Sequence, residues 1–245
     1  MDTLIKEAVK IIRQSEFTCA FTGAGISVES GVPPFRGKHG LWNKYDPKIL
    51  DLGYYLDNPE ECWPVIREIF YDFFSDANPN PAHEVLARME KEGLLNSVVT
   101  QNIDNLHQEA GSKVVHEFHG NAKKLKCLKC GTVYDTEDFD FKIIPPVCEK
   151  DGEILKPDFI FFGEGIPPEA FNNSFADAER SEVLMIIGST GEVAPASYVP
   201  RTAKQGGATI IEINPEESMF TNHITDIHLK GKAGEILKKM GKYLF

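Results

Sequence analysis

The stretch from Phe21 to Gly37 constrains the fold of this chain more than any other part of the sequence. An apolar, β-prone run over residues 17–22 leads into Gly23 and Gly25, and residues 26–31 have the pattern of the first turns of a short helix. A strand, a glycine turn and a helix start together direct free backbone N–H groups at a phosphate. The stretch therefore predicts a nucleotide site or, alternatively, an ordinary tight turn between a strand and a helix.

The glycine pattern is only part of the fingerprint found in dinucleotide-binding turns. Val28 stands where that fingerprint has its third glycine. No clear strand-end acid follows about 20 residues further on, where a ribose-binding carboxylate would be expected. Because a Gly-x-Gly pair is a weak signal by itself, the spacing leaves the nucleotide site and the plain turn as open alternatives.

Predicted strands alternate with predicted helices along most of the chain. The strands fall at residues 17–22, 97–100, 114–119, 159–163, 183–187, 208–213 and 225–229, and the helices at 2–14, from 80 to about 93, 168–179, from about 195, and 233–244. This alternation is typical of an α/β fold with a parallel sheet covered on both faces. Polar residues follow several of the strands, and ligands bind at that carboxyl edge in open α/β sheets.

The chain carries a net charge of −11, from 26 Lys and Arg against 37 Asp and Glu. This balance argues against a nucleic-acid groove, which needs clustered basic residues. An acidic surface suits basic partners such as lysine-rich protein segments, and it also simply favours solubility. The N-terminus carries acids, and no apolar run approaches the roughly 20 residues that span a bilayer. We therefore expect a cytoplasmic protein with no membrane contact.

Three of the five cysteines have the spacing of a zinc site. Cys127 and Cys130 form a Cys-x-x-Cys knuckle followed by a glycine, and Cys148 comes after a spacer of hairpin length. Asp151 stands where a second knuckle would have its last cysteine. We expect one Zn²⁺ held by these four residues, because zinc prefers four tetrahedral ligands. The site would be structural, since four protein ligands leave no position for catalytic water. The alternative is a degenerate knuckle that binds zinc weakly or not at all.

Four polar residues near one rim of the predicted sheet are the leading candidates for chemistry. Gln101, Asn102 and Asp104 follow the buried strand 97–100, and His119 ends the next strand. Together they would bring a base, an acid and two amides to one place. Histidine is the natural general base near neutral pH, although a lone histidine at a strand end is more often structural than catalytic.

The sequence resembles the sirtuin family of NAD-dependent protein-lysine deacylases over essentially the whole chain. Its motifs occur in the family's order, and so many ordered matches are not expected by chance. They are Gly23-Ala-Gly-Ile-Ser27, Ser30-Gly-Val-Pro33, Phe35-Arg-Gly37, Thr100-Gln-Asn-Ile-Asp104, Leu106-His107, Ala110-Gly111, His119-Gly120, Phe162-Gly-Glu164, Gly188-Ser-Thr190, Asn214 and Gly231-Lys-Ala-Gly234.

The resemblance implies a Rossmann-like parallel sheet domain and a smaller domain made of a helical insert and a zinc-ribbon-like module. The Rossmann-like, NAD-binding domain would take residues 1–37, 81–120 and 158–245. The small domain would take the helical module, residues 38–80, and the zinc-binding module, residues 121–157. These two segments are the ones whose composition departs from the strand–helix alternation, the first rich in aromatic residues and prolines, the second in cysteines and lysines.

The resemblance also implies the roles of individual residues. His119 would act as the catalytic base, with Gln101, Asn102 and Asp104 completing the catalytic set. NAD would be the co-substrate, bound by Gly23, Ala24, Gly25, Phe35, Arg36, Gln101, Ile103, Asp104, Gly188, Ser189, Thr190, Asn214 and Ala233. The acyl-lysine protein or peptide would pair as an added strand with Ile160, Phe161, Phe162 and Gly163.

The implied reaction transfers the acyl group of the lysine to ADP-ribose and releases nicotinamide, and zinc takes no part. His119 would take a proton from a ribose hydroxyl. The succinyl- and malonyl-selective members carry a Tyr-x-x-Arg pair that the comparable helix, residues 63–71, lacks. We therefore expect a preference for neutral acyl groups, since arginine suits a terminal carboxylate. Phe70, Phe73 and Phe74 could line an acyl tunnel or belong to the plain core.

Other activities fit part of the same pattern. An NAD hydrolase or mono-ADP-ribosyltransferase would use the same pocket, whereas the segment Phe162-Gly-Glu164 favours the deacylase. A catalytically silent NAD-binding module is disfavoured by His119. Pro34, Asp151 and Glu192 depart from the family pattern, which puts in doubt the contacts of position 34, the zinc affinity and the binding of NAD near position 192.

Overall fold

The structure, a computed structural model, describes residues 1–35, 40–72 and 77–245. The described strands are β1 (Thr18–Thr22), β2 (Ser97–Thr100), β3 (Val115–Glu117), β4 (Gly120–Cys127), β5 (Val133–Asp135), β6 (Leu155–Phe159), β7 (Val183–Ile187), β8 (Thr209–Asn214) and β9 (Ile227–Lys230). The described α-helices are α1 (Asp2–Gln14), α2 (Leu52–Asp57), α3 (Pro59–Arg67), α4 (Pro81–Lys91), α5 (Leu106–Glu109), α6 (Pro168–Arg180), α7 (Tyr198–Gln205) and α8 (Ala233–Leu244).

Six of the strands form one parallel sheet in the order β3-β2-β1-β7-β8-β9. All residues of β1, β2 and β7 are buried, as expected for parallel strands covered by helices on both faces. In the register of the sheet, Thr22 lies beside Thr100 on one side and beside Ile187 on the other. The carboxyl ends of the three central strands therefore meet at one edge.

Two apolar cores fix the helices to the faces of this sheet. On one face, Ile5 of α1, Leu86 of α4 and Leu237 of α8 are buried in a single cluster with alternate residues of β1, β7 and β8. On the other face, Ala178 of α6 and Val199 of α7 belong to a cluster with the remaining residues of the same strands. The α/β class predicted from the alternation of elements is confirmed.

The remaining strands form a separate three-stranded antiparallel sheet in the order β5-β4-β6. It shares a third core with the helical segment that includes α2 and α3, and Trp63, Phe70 and Phe159 are buried there. The indole Nε1 of Trp63 and the hydroxyl of Tyr55 both donate to the carbonyl of Leu155, at 3.0 and 2.8 Å, so the buried polar groups are satisfied. The exact residues at which the two domains would divide remain a prediction.

Several elements have the ends that the sequence predicted. The strands at 97–100 and 183–187 and the helices at 2–14 and 233–244 are confirmed without a shift, and the other predicted helices occur within a few residues of their expected positions. Only residues 115–117 of the predicted strand 114–119 are strand in the structure.

The prediction of a short helix at residues 26–31 is wrong. The segment forms two 3-10 turns, Ala24–Ile26 and Val28–Ser30, and ends at Gly31 with a φ of +88°. The carbonyl of Ile26 accepts a hydrogen bond at 2.7 Å from the side-chain amide of Asn80, which takes the place of a helical N–H. The segment is held by a distant residue, so its local pattern did not reveal its conformation.

The strand predicted at residues 159–163 is also misplaced. Strand β6 ends at Phe159 and belongs to the small antiparallel sheet. Beyond it, the amide of Phe161 donates to the Glu164 carboxylate at 2.9 Å and not to the carbonyl of a neighbouring strand. The chain therefore turns at this point, and Gly163, with a φ of +85°, supplies the left-handed residue that the turn needs.

None of the helices in the described ranges is both long and apolar enough to cross a membrane.

Candidate active site

Three glycines let the loop after β1 pack directly on the loop after β7. The amide of Gly25 donates to the carbonyl of Gly188 at 2.8 Å. A Cβ atom placed on Gly25 would lie 2.6 Å from the Cα of Gly188, and one on Gly23 would lie 2.8 Å from the Gly188 carbonyl oxygen. Gly188 also has a φ of +65°, and its own Cβ would lie 2.3 Å from the nitrogen of Ile26. These glycines are required for the contact between the two loops, whether or not a ligand is bound.

Gln101 connects the ends of three strands at the carboxyl edge of the sheet. Its amide nitrogen donates to the carbonyl of Thr22 at 2.9 Å, at the end of β1. Its side-chain Nε2 donates to the Oγ of Ser189 at 2.9 Å, just after β7. Its own carbonyl faces the ring of His119. The predicted convergence of these residues on one rim is therefore present.

The carbonyl of Gln101 fixes the tautomer of His119, and burial favours the neutral form of the ring. Its Nδ1 lies 3.1 Å from the carbonyl oxygen of Gln101, which can only accept, so Nδ1 carries the proton and Nε2 keeps a free lone pair. Burial lowers the pKa of His119, although the hydrogen bond to Gln101 opposes that shift. The side chain can therefore accept a proton at neutral pH.

Asn102 and Asp104 meet at a buried serine. Ser27 donates from Oγ to Oδ2 of Asp104 at 2.6 Å, and it accepts from Nδ2 of Asn102 at 3.1 Å. Burial raises the pKa of Asp104, while the hydrogen bonds from Ser27 and from the amide of Leu106 oppose that rise. The three side chains form one fixed polar group at the base of the loop after β1.

Two buried histidines lie directly behind this group, and sequence reasoning assigned neither of them a role. His83 Nδ1 accepts from the amide of Asn80 at 3.3 Å, which leaves its Nε2–H directed at Ser27 Oγ, 3.5 Å away. Nε2 of His107 lies 2.9 Å from the hydroxyl of Thr22. Burial lowers the pKa of both rings, that of His83 to about 4. The Asn80-Pro-Ala-His83 capping box was the available signal for His83, because it fixes the ring at the start of α4.

The apolar wall of the site comes from the helical segment and the loop after β2. The ring of Phe35 lies 5.4 Å from that of Trp42 and 6.4 Å from that of Phe70, centroid to centroid. Ile103 is buried in the same cluster. Arg36, the other predicted NAD ligand of this stretch, lies outside the described residues, as do Phe73 and Phe74.

The predicted adenosine-side residues surround the ends of β7 and β8. Asn214 donates from Nδ2 to the carbonyl of Ser189 at 3.1 Å and to the Glu212 carboxylate at 2.8 Å. Both donors of this amide are used, so its Oδ1 is the atom left to accept from a ligand. Ala233 begins α8 close by, because the amide of Gly231 donates to the Asn214 carbonyl at 3.1 Å.

Thr190 and Ala24 lie at the outer rim of the same region. The side chain of Thr190 is exposed, and its carbonyl accepts from the amide of Met219 at 2.9 Å. Ala24 is half-buried at the start of the first 3-10 turn. Glu29, which the sequence did not single out, caps the start of α8 by accepting from the amide of Gly234 at 2.6 Å. That contact joins the loop after β1 to the last helix.

The predicted substrate segment, residues 160–163, begins next to His119. The amide of Ile160 donates to the carbonyl of His119 at 2.8 Å. Phe162 uses both of its backbone groups on the helical segment, donating to Leu50 at 2.7 Å and accepting from Leu52 at 3.0 Å. Its ring is 46% exposed and lies 6.4 Å from Trp42. The side chain of Phe162 is therefore partly exposed, while its backbone is fixed.

The predicted metal ligands are brought together in the zinc-ribbon-like module. Cys127, Cys130, Cys148 and Asp151 offer ligand atoms that all lie within 4.8 Å of one another. The sulfurs of Cys130 and Cys148 are 3.7 Å apart, and the sulfur of Cys127 lies 3.5 and 3.6 Å from the two Asp151 oxygens. A tetrahedral Zn²⁺ with ordinary bond lengths requires S···S of about 3.8 Å and S···O of about 3.5 Å. The four residues fit this ion.

Comparison with known proteins gives a consistent result over nearly the whole chain. The model of the Sir2 family matches residues 23–195. An NAD-dependent protein deacylase of Pyrobaculum aerophilum is 42% identical over 234 residues, which cover 94% of this chain and 92% of the relative. An NAD-dependent protein deacylase of Pyrococcus abyssi is 41% identical over 243 residues, covering 97% and 96%.

Solved structures of Sir2 proteins have the same fold. A mutant Sir2 homologue in complex with ADP-ribose superimposes with a TM-score of 0.92 at 37% identity, covering 97% of this chain and 95% of that one. A Sir2 variant in complex with a deacetylated p53 peptide and 3'-O-acetyl ADP-ribose gives 0.92 at 33% identity, covering 98% of both chains.

Proposed function

This chain belongs to the Sir2 family, and from that premise we propose that it is an NAD-dependent protein-lysine deacylase. It transfers the acyl group of a modified lysine to ADP-ribose and releases nicotinamide. The observation that carries the proposal is His119, a half-buried histidine after β3 whose Nδ1 is fixed on the carbonyl of Gln101, the residue that follows β2. The relatives at 42 and 41% identity are NAD-dependent protein deacylases.

The geometry assigns the base function to one atom. NAD supplies the ribose that receives the acyl group and the nicotinamide that leaves. Nε2 of His119 takes the proton of a ribose hydroxyl, because its lone pair is the one that the Gln101 carbonyl leaves free. The apolar wall around Phe35 and Ile103 excludes water, which would otherwise hydrolyse NAD.

The polar groups near His119 hold the cofactor and orient the base. Asp104 and Asn102, fixed on Ser27, face the nicotinamide end, and Gln101 orients the base. The adenosine half is held by Ser189, Thr190, Asn214 and Ala233, and the diphosphate by the loop of Gly23, Ala24 and Gly25. Gly188 contributes the close contact that brings the two loops together. Phe35 and Arg36 complete the NAD set.

The substrate is an acyl-lysine protein or peptide, bound along residues 160–163. The backbone of Phe162 is already hydrogen-bonded to the helical segment, so an added peptide strand pairs first with the backbone at Gly163. The exposed ring of Phe162 contacts the aliphatic part of the lysine. A solved Sir2 structure of 32% identity holds a p53 peptide together with NAD, which supports a peptide as the substrate class.

The preferred acyl group is neutral. The π-helical turn Glu68–Asp72 directs Phe70 into the third core, where its ring lies 4.7 Å from that of Phe159. Arg67, which belongs to the same segment, pairs with Asp72 at 3.4 Å. The acyl chain therefore meets aromatic rings, which accept an acetyl or longer neutral group and disfavour a carboxylate.

One experiment tests the function directly. The purified protein is incubated with NAD and either an acetyl-lysine peptide or the same peptide with unmodified lysine, and products are identified by mass spectrometry. We expect deacetylated peptide, nicotinamide and O-acetyl-ADP-ribose only with the acetylated peptide. Nicotinamide release that is equal with both peptides, without O-acetyl-ADP-ribose, would contradict the proposal and indicate an NAD hydrolase. A succinyl-lysine peptide in the same assay tests the acyl preference.

A further inference from the structure

A buried lysine lies beneath the segment that faces the substrate. Lys156, in β6, is 2% exposed. Its ammonium group donates to the carbonyls of Pro157 and Phe159 at 2.8 and 2.7 Å and pairs with the Glu164 carboxylate at 3.0 Å. An ammonium group has three N–H donors, and each has a partner here. Burying a charged group without such partners would cost free energy of folding.

The same lysine organises both ends of the turn that follows β6. Glu164, its ionic partner, also accepts from the amide of Phe161 at 2.9 Å, and the amide of Glu164 donates to the Phe161 carbonyl at 3.0 Å. The ammonium nitrogen lies 4.2 Å from the centroid of the Phe161 ring, within the range of a cation–π contact. Phe159, Phe161 and Glu164 are thus all fixed on one side chain.

This arrangement determines where the exposed part of the turn lies. Phe162 and Gly163 lie between Phe161 and Glu164, two residues that contact the Lys156 side chain. Both Phe162 and Gly163 are exposed. Ile160 is tied at the same time to the carbonyl of His119. The position of the substrate-facing residues relative to the catalytic base therefore depends on contacts made beneath them.

We propose that the Lys156–Glu164 ion pair is a positioning device that sets the place of Phe162 and Gly163 for the acyl-lysine substrate. The inference rests on the proposed function, because the segment 160–163 has this role only in a deacylase. Lys156 itself does not contact the substrate. Its removal alters the binding of the peptide and leaves the NAD loops, which belong to the other sheet, unchanged.

The experiment compares Lys156→Met, Glu164→Gln and the double variant K156M/E164Q with the wild-type protein. Peptide KM and kcat are measured with an acetyl-lysine peptide, and NAD binding is measured by calorimetry without peptide. We expect kcat/KM for the peptide to fall about 10- to 100-fold in K156M, mainly through KM, because small displacements of binding groups have effects of this size. The Kd for NAD should change by less than about twofold, because Lys156 and Glu164 lie outside the loops predicted to bind NAD. A loss of peptide binding in both the ground state and the transition state raises KM and leaves kcat unchanged.

The double variant separates positioning from plain stability. Removal of Lys156 alone leaves the half-buried Glu164 carboxylate without its ionic partner, whereas removing both charges relieves that penalty. In K156M/E164Q we expect the melting temperature to recover while the raised peptide KM remains. Recovery of both quantities would overturn the proposal, because Lys156 would then only stabilise the fold.

The test can still be decided if one of the variants does not fold. If K156M does not fold, the double variant and E164Q supply the same comparison, and a peptide KM equal to that of the wild type in both would overturn the proposal. Lys124→Met is the matched control, since it breaks an exposed ion pair with Asp135 on the neighbouring strand, and it should leave peptide KM unchanged. Absence of deacylation by the wild-type protein would refute the proposed function and is distinct from these results.

Discussion

The carbonyl oxygen of Gln101 accepts a hydrogen bond from Nδ1 of His119 at 3.1 Å. The two residues belong to different loops, one after β2 and the other after β3, and they meet because these strands are parallel neighbours. The contact fixes the ring orientation and leaves Nε2 as the basic atom. The carbonyl of His119 in turn accepts from the amide of Ile160, so one residue connects the loop after β2 to the segment 160–163.

Replacement of His119 by alanine should abolish most of the deacylase activity without loss of NAD binding. A positioned general base contributes about 10²- to 10⁴-fold, so kcat/KM should fall by that factor. The Kd for NAD, measured by calorimetry, should remain close to that of the wild type. Exposed His223 provides the control, and His223→Ala should have wild-type kinetics. Loss of NAD binding in H119A would show that the ring holds NAD.

The pH dependence of kcat/KM should report the same residue. The neutral ring is the active form, so activity is lost as pH falls through the pKa of His119. Burial lowers that pKa below its ordinary value of 6.5, so the acid limb should have its midpoint below pH 6.5. Rates are measured from pH 4.5 to 8 with saturating NAD, in parallel with a far-UV spectrum that confirms folding. A midpoint above pH 6.5 would contradict the buried environment described for this ring.

Gly188→Ala should disrupt the contact between the two NAD loops. The new Cβ would lie 2.3 Å from the nitrogen of Ile26, and the residue has a φ of +65°. The combination of overpacking and a left-handed conformation should lower the free energy of unfolding by about 2–5 kcal/mol. NAD binding should be lost in the same variant. Urea unfolding and calorimetry measure the two effects.

Gly207 offers the matched control for that substitution. It also has a positive φ, of +97°, but nothing lies within 4 Å of a Cβ placed on it. Gly207→Ala should therefore lose only the conformational part, about 1–2 kcal/mol, and should bind NAD normally. Equal losses in the two variants would mean that the close approach of the two loops has no energetic consequence.

The sequence predicted the parts of the fold that depend on local pattern. β2 and β7 are short apolar runs buried on both faces, and α8 has a regular apolar face, so their ends were visible. The segment at 159–163 looked the same, but its course is set by the Glu164 carboxylate and by Leu50 and Leu52, more than 100 residues earlier. Contacts at that separation leave no mark on local periodicity.

The candidate site shows the same division. Gln101, Asp104 and His119 could be found because parallel strands bring their carboxyl ends to one edge. The capping box could place His83 at the start of α4, but its contact with Ser27 could not be predicted, because it joins residues 56 positions apart. The close approach of Gly25 to Gly188 was likewise invisible, since glycine in a turn has the same appearance whether it serves a ligand or a backbone contact. The sequence therefore indicated which residues belong to the site, but it did not show which of them contact one another.

Asp151 should contribute directly to zinc affinity. Its carboxylate lies at the distance from Cys127 that a shared tetrahedral ion requires. Loss of a residue that only orients a ligand costs about 10- to 100-fold in affinity, so Asp151→Ala should release zinc to a chelator at least about tenfold faster. Asp151→Cys should release it more slowly than the wild type, because it completes a four-thiolate site. Release is followed with a chromogenic chelator, and bound zinc is counted by elemental analysis.

The control for the zinc prediction lies in the same module. Asp135 is exposed and pairs with Lys124 at 2.8 Å, outside the cluster of metal ligands. Asp135→Ala should release zinc at the wild-type rate. If Asp151→Ala behaves like this control, the carboxylate is not a ligand, and the degenerate knuckle becomes the correct interpretation.

Glu212 should stabilise the fold at neutral pH and lose this effect in acid. Its carboxylate is buried and accepts from Ser218, Thr225 and Asn214, at 2.5, 2.7 and 2.8 Å. Burial would raise its pKa, but these hydrogen bonds prevail and the pKa is lowered. A carboxyl whose folded pKa is lowered stabilises the protein above the unfolded pKa, about 4.3 for glutamate, and the effect is lost as pH falls through the folded pKa.

Glu212→Gln should therefore lower the free energy of unfolding by about 1.5–3 kcal/mol at pH 7, the range for hydrogen bonds to a charged group. The difference from the wild type should shrink as pH falls below about 4.3, because the carboxyl of the unfolded wild-type chain takes up a proton there. Urea unfolding at pH 7, 5 and 3.5 measures both quantities. Glu216→Gln, at an exposed position two residues beyond Asn214, should differ little from the wild type at every pH. A difference for E212Q that stays constant with pH would mean that Glu212 acts by its shape and not by its charge.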